Sequence, residues 1–349
     1  MALQTVAASA LSTLAADEHQ DLSVIDLSPA ELGELASPVT GRIVSLTAAV
    51  LGEPGLRTLA GKSLPRLRKL TLAYCALDPA GMTALGASAL ARPVRWLTLG
   101  GPSGGAATIG ALTATPLFAA LEQLDFYDGD LGDDGCAALA EGASRGKLRR
   151  LALGRPVFGA AGDASNGLVG CKGVARLVAE PALAALEDLG VSMPEIDAEL
   201  ARALLGSPLA RFVYLFPGSW KTRREAPTGG ASFTFQAAHE MPVGPPGGAF
   251  FGTTTLSTGL VVPDSGGSGI FSADGLFAAL PIWQKDAHGK WTGKSFVRLI
   301  TLASGASEDL SPSAQGSLAL YSFEGGKVRG IANLEDAPAP FEAQVPASH

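Results

Sequence analysis

The stretch "LRKLTLAYCAL", residues 67–77, sets Leu67, Leu70, Leu72, Cys75 and Leu77 at steps of 3, 2, 3 and 2. A helix repeats about every 3.6 residues and a half-buried strand every 2, so neither period alone accounts for it. The step recurs. "LRKLTL" begins at Leu67, "VRWLTL" at Val94, "LEQLDF" at Leu121 and "LRRLAL" at Leu148, each 27 residues after the last. "LEDLGV" follows at Leu186, after 38 residues. Weaker units flank the array: "LSVIDL" from Leu22, "IVSLTA" from Ile43 and "LARFVY" from Leu209. Gly135 precedes Leu148 by 13 residues, and Gly173 precedes Leu186 by the same 13. The extra length therefore falls in "GRPVFGAAGDASNGLVG", residues 154–170, a loop insertion after which the register resumes.

Each unit reads as a short strand followed by a helical half such as "GMTALGASALA" (81–91) or "GVARLVAEPALAAL" (173–186). Alternation along the strand sends Leu70 and Leu72 to one face and their neighbours to the other. One unit buries little by itself, so successive units stack and share a continuous core. Strand–helix–strand crossovers are right-handed, which makes the sheet parallel. The outward positions form columns. The first is Lys69, Trp96, Gln123, Arg150, Asp188 and Arg211; the second holds Thr71, Thr98, Asp125 and Ala152; the third holds Ala73, Gly100 and Tyr127.

The pattern L-x-x-L-x-L-x-x-[N/C]-x-L, matched throughout by residues 67–77 with Cys75 at the Asn/Cys position, resembles the leucine-rich repeat. The 27-residue period with a helical second half is similar to the ribonuclease-inhibitor-like subclass, over residues 20–215. Pro102, Gly129 and Pro156 take the Asn/Cys position in other units and depart from that pattern. The resemblance implies an α/β solenoid with a concave parallel sheet and outer helices, and a role in binding rather than a particular target. Lys69, Trp96, Gln123, Asp125, Tyr127, Arg150, Asp188 and Arg211 are then the expected contacts of a protein or peptide partner. Trp, Tyr and Arg together are the mixture enriched at interface hot spots.

The 349 residues suit two domains, and 47% hydrophobic against 17% charged residues supply a large core. After Phe216 the 27-residue rhythm stops. Alternating β-rich stretches follow, "ASFTFQA", "GAFFGTTTL", "KSFVRLITLA", "SLALYSF" and "KVRGIANL", with Gly/Pro/Ser turns between them. Hairpins are expected around Ala287–Gly289 and at Gly325–Gly326. The expected organisation is a repeat domain with an N-terminal cap over residues 1–215, a mainly antiparallel sandwich or small barrel over 216–335, and a frayed Pro/Ala-rich tail over 336–349. "GSW" (Gly218, Ser219, Trp220) is similar to the Gly-x-Trp entry of lipocalin-like and avidin-like barrels.

The net charge of −7 argues against a nucleic-acid binder, which presents a basic face. Three cysteines without a C-x-x-C pair disfavour a disulfide framework and a zinc site, and fit a reducing, cytoplasmic setting. No apolar run reaches membrane-spanning length. His19, His239, His288 and His349 belong to no nucleophile or metal motif. "GGPSGGAATIG" (100–110) lacks the G-K-[ST] ending of a phosphate loop. Asp128, Asp130, Asp133 and Asp134 crowd one segment, but Gly132 and Leu139 stand where a Ca²⁺ loop needs acids, and helix capping explains the aspartates more simply. In the inserted loop, Asp163 and Asn166 are too few for a metal site. The expectation is a non-enzymatic module, without cofactor, binding a protein or peptide on the concave face. The alternative is a small-ligand-binding β-barrel carried on a repeat scaffold, with a pocket near Trp220, Trp283 and Trp291.

Overall fold

A computed structural model describes residues 3–7, 21–35, 39–73, 75, 77–100, 105–127, 131–155, 169–192, 196–207, 213–216, 221–240, 250–333 and 338–346. The chain forms two compact units, and they do not divide at residue 215. The first contains residues 1–161 and 180–187; the second contains 162–179 and 188–349.

The first unit is a parallel sheet of seven strands in chain order: β1 (Leu3–Ala7), β2 (Asp21–Leu27), β3 (Ile43–Ala49), β4 (Lys69–Ala73), β5 (Trp96–Gly100), β6 (Gln123–Tyr127) and β7 (Arg150–Arg155). Helices α1 (Pro29–Glu34), α2 (Glu53–Ala60), α3 (Pro79–Gly86), α4 (Gly105–Thr113), α5 (Pro116–Ala120) and α6 (Gly132–Gly142) connect them. The 27-residue period appears as register: Lys69 lies opposite Trp96, Trp96 opposite Gln123, and Gln123 opposite Arg150. The leucines between them, Leu70, Leu72, Leu97, Leu99, Leu124 and Leu151, are buried. An apolar side chain leaves water at every second position, and the strands stack so that those positions meet.

Local chemistry fixes the connections. Asp78 caps α3 by accepting from Gly81 N at 2.6 Å, with Pro79 in the first turn. Ser28 and Glu31 form a reciprocal capping box on α1. Helices of neighbouring strand–helix units approach where a side chain is missing. A Cβ on Gly142 would meet Thr113 at 2.3 Å, and one on Gly86 would meet Thr115 at 2.4 Å. Cys75, at the Asn/Cys position, is buried, and its Sγ accepts from Leu51 N of the preceding unit at 3.4 Å. Burial raises the pKa of this thiol, which makes it a packing group rather than a nucleophile. Pro102, Gly129 and Pro156 lie outside the described residues.

In the second unit, α7 (Cys171–Ala179), α8 (Ala198–Gly206) and the parallel pair β8 (Asp188–Ser192) and β9 (Val213–Phe216) continue the strand–helix alternation. An eight-stranded antiparallel sheet follows: β10 (Lys221–Glu225), β11 (Ser232–Glu240), β12 (Phe250–Leu256), β13 (Val261–Gly266), β14 (Ile270–Phe271), β15 (Phe277–Lys285), β16 (Trp291–Thr301) and β17 (Ser307–Gln315). A second sheet holds β18 (Leu318–Glu324), β19 (Lys327–Ala332) and β20 (Ala339–Gln344). The hairpins turn at Asp286–Gly289, closed by Gly289 N to Asp286 O at 3.0 Å, and at Gly325–Gly326, whose φ angles are +59° and +71°.

Strand β15 is buried on both faces. Ala278, Leu280 and Ile282 join a cluster with Phe233, Leu256, Val262, Phe271 and Ile300, while Ala279 joins Val297, Leu299 and Leu310. The first cluster draws on β11 to β16 of one sheet, so that sheet curls until distant strands share an interior. The second cluster adds Leu318, Leu320, Val328, Phe341 and Ala343, which is the small sheet packing on the opposite face. The frayed tail expected over 336–349 is corrected for residues 339–344. These form β20, paired residue for residue with β19, with Phe341 and Ala343 buried. The "GSW" triplet lies outside the described residues. Among the described residues no helix is long and apolar enough to cross a membrane.

Candidate functional site

The polar face of the parallel sheet gathers the expected side chains around Trp96. The Trp96 indole Nε1–H donates to Asp125 Oδ2 at 2.9 Å. The amide of Gln123 donates to the same carboxylate, at 2.9 Å to Oδ2 and 3.2 Å to Oδ1. Thr98 Oγ1 approaches Oδ2 at 3.5 Å. From the other side, Lys69 Nζ stands 4.3 Å from the centre of the Trp96 ring, a cation–π distance. Strand register produces this arrangement, because the first- and second-column positions of β4, β5 and β6 lie on one face and side by side.

The network sorts the expected contacts by role. Trp96 is 36% exposed, Arg150 is exposed, and Lys69 and Gln123 are half-buried. Asp125 is only 5% exposed, so the expectation of a partner contact at this residue is corrected. Its oxygens are occupied by Trp96, Gln123 and Thr98, and it holds the indole in place instead. Tyr127 ends β6, and its side chain lies outside the described residues, as does Arg211. Asp188 opens β8 in the second unit, half-buried.

One residue before each strand runs a row absent from the expected set: Arg68, Arg95, Glu122, Arg149 and Glu187. Their backbones are laddered, with Arg95 N to Arg68 O at 2.9 Å, Glu122 N to Arg95 O at 2.8 Å, Arg149 N to Glu122 O at 2.8 Å and Glu187 N to Arg149 O at 2.7 Å. Arg95 lies 3.8 Å from the Glu122 carboxylate, and Arg149 pairs with Glu187. The signal is present in the sequence, since these residues recur at the same phase, but they precede the strands and so fall outside the alternation that marks the columns.

Two clefts open on this face and share Arg68, Lys69 and Trp96. The larger, about 640 Å³, is lined also by Ser23, Ser45 and Arg66, with no carboxylate among its described lining residues. The smaller, about 320 Å³, adds Arg95, Glu122, Gln123, Arg149, Arg150 and Glu187. Cations outnumber acids among the described residues that line the two clefts, although the chain as a whole carries −7.

The other motifs resolve locally. Asp133 and Asp134 occupy the first turn of α6, while Asp128, Asp130, Asp163 and Asn166 lie outside the described residues. Among the described residues no group of three or more His, Cys, Asp or Glu is arranged to hold a metal ion. His288 is exposed in a turn whose Asp286 accepts from His288 N and Lys290 N, both at 2.9 Å. His19 and His349, and the side chain of His239, lie outside the described residues. No protein-family model matches this chain, and no curated protein matches it.

Proposed function

We propose that the chain is a leucine-rich-repeat-like interaction module, cytoplasmic and non-enzymatic, that binds a protein or peptide on the concave face of its stacked strands. The observation carrying this reading is the Trp96 side chain. Trp is among the residues enriched at interface hot spots, and this ring is held in place by a buried carboxylate and overlaid by an ammonium group. Rigid anchors lose little entropy on binding, which is why such groups dominate interface energetics. The flanking clefts give a partner side chains to either side of the ring room to enter.

The alternative, a small-ligand pocket in the β-rich part, has less in its favour. Phe233, Phe271, Leu280 and Ile300 fill the interior of the curled sheet, with the two phenylalanine rings 5.0 Å apart. Trp283 is 4% exposed and packs between Phe251 at 4.9 Å and Trp291 at 5.2 Å. Trp220 lies outside the described residues.

Selection of a random peptide library on the intact chain tests the proposal. Selected peptides that no longer bind Trp96→Ala, with that variant folded by circular dichroism, support it. Peptides that bind Trp96→Ala and Arg150→Ala as well as the parent overturn it.

A further inference from the structure

We infer that the trough around Trp96 receives an acidic peptide segment, whose carboxylates meet Arg68, Lys69 and Arg150 and whose apolar side chain lies on the indole. The inference rests on the interaction reading above and adds the chemistry of the partner.

Charge is the first argument. On a chain of net charge −7, the described residues that line the larger cleft include Arg68 and Lys69 and no carboxylate. Concentrating cations in one concavity of an acidic protein raises the local potential where low-dielectric walls focus it. Among the described residues, Lys69 and Arg150 have no carboxylate within ion-pair distance, while Arg95 and Arg149 are engaged by Glu122 and Glu187. The charges left to a partner therefore sit at two places, Lys69 with Arg68 on one side of Trp96 and Arg150 on the other.

Spacing is the second argument. Lys69 and Arg150 are three strands apart in register. At about 4.8 Å per strand this is roughly 14 Å, the reach of about four or five extended residues. A peptide crossing the strands can place a carboxylate at each end and an apolar residue between them on Trp96.

The two glutamates decide against a polynucleotide. Glu122 and Glu187 stand in the same row as the arginines, and a backbone with a phosphate at every step would have to pass them. A peptide has neutral or basic residues to offer there.

The test uses the full chain and fluorescein-labelled peptides of about eight residues, long enough to span the trough. One alternates Glu and Leu, a second Lys and Leu, and a third Ser and Leu; a single-stranded oligothymidine of similar length completes the set. Fluorescence anisotropy is expected to show binding of the Glu/Leu peptide alone, weakened about tenfold or more by Lys69→Glu, by Arg150→Glu and by Trp96→Ala, and weakened by added salt. Lys290→Glu, in the exposed turn between β15 and β16, is expected to bind like the parent. Melting curves of each variant confirm that it is folded.

Trp96-dependent binding of the Lys/Leu or Ser/Leu peptide at equal or greater strength overturns the acidic preference and leaves the interaction reading standing. Preferential, Trp96-dependent binding of the oligothymidine overturns the peptide assignment. No Trp96-dependent binding by any probe up to about 1 mM, a free energy near −4 kcal/mol, removes both.

Discussion

Asp125 shows how one buried residue sets the properties of an exposed one. Its carboxylate accepts from the Trp96 indole, the Gln123 amide and Thr98, so ring, amide and hydroxyl are fixed by a single acceptor. Removing it leaves the partly exposed indole and amide donors and the buried Thr98 hydroxyl without that acceptor, at a cost of about 1 kcal/mol, the low end of the range for buried donors. Asp125→Ala is therefore expected to lower the unfolding free energy by that amount in urea titrations, and to loosen the Trp96 ring. Asp125→Asn, of the same shape but with one acceptor oxygen and an NH2 that meets donors, is expected to lose part of it. A loss below about 0.5 kcal/mol in both variants would mean that the carboxylate is not holding the ring.

At the scale of elements, the small sheet of the second unit holds its edge strand partly by charge. Glu342 on β20 accepts from Lys327 at 2.6 Å and from Arg329 at 3.1 Å, both on β19. Hydrogen bonds from Lys327 first and Arg329 second hold its carboxyl below the usual carboxylate range. The folded pKa is thus lowered relative to the unfolded chain. The stabilising contribution is complete above the ordinary carboxylate pKa of about 4.3 and is lost as pH falls through the lowered folded value. Carbon-13 NMR titration is expected to place Glu342 below the ordinary value in the parent, and Lys327→Gln with Arg329→Gln is expected to return it there. An ordinary value in the parent would show that the pairing is nominal, as many exposed ion pairs are.

The same elements show what the sequence could and could not convey. Strands β4 to β7 begin at Lys69, Trp96, Gln123 and Arg150, where the leucine step placed the first column, because core leucines must recur at a fixed phase for stacked units to share an interior. Strand β20 was hidden. "APFEAQ" sits in a Pro/Ala-rich stretch, and only the alternation of Phe341 and Ala343 marks it; as an edge strand it tolerates Pro340. The burial of Asp125 was equally illegible, since alternation gives the face of a residue but not whether a neighbour such as Trp96 will lie over it. The charged row from Arg68 to Glu187 was written in the repeat all along, one position before each strand.

For the whole molecule, the change in sequence rhythm after Phe216 is not where the compact units part. Residues 162–179 and 188–216 belong with the β-rich strands, and α8 packs on β18 within that second unit. Leu200, Ala201 and Leu204 of α8 are buried in the intact chain, and β18, from beyond residue 215, approaches this helix. Cutting the chain after residue 215 keeps every strand–helix unit that the leucine step predicts but removes β18. Hydrogen exchange read by mass spectrometry is then expected to show α8 amides losing protection in the shortened chain. The amides of β4, β5 and β6 are expected to keep theirs, because their neighbours in the first unit remain. Equal protection of α8 in the two chains would place the physical boundary back at residue 215 and make its contact with β18 incidental. Loss of protection throughout β4 to β6 would instead show that the parallel sheet needs the second unit to stay folded, as a stack of repeats does when its end is left open to water.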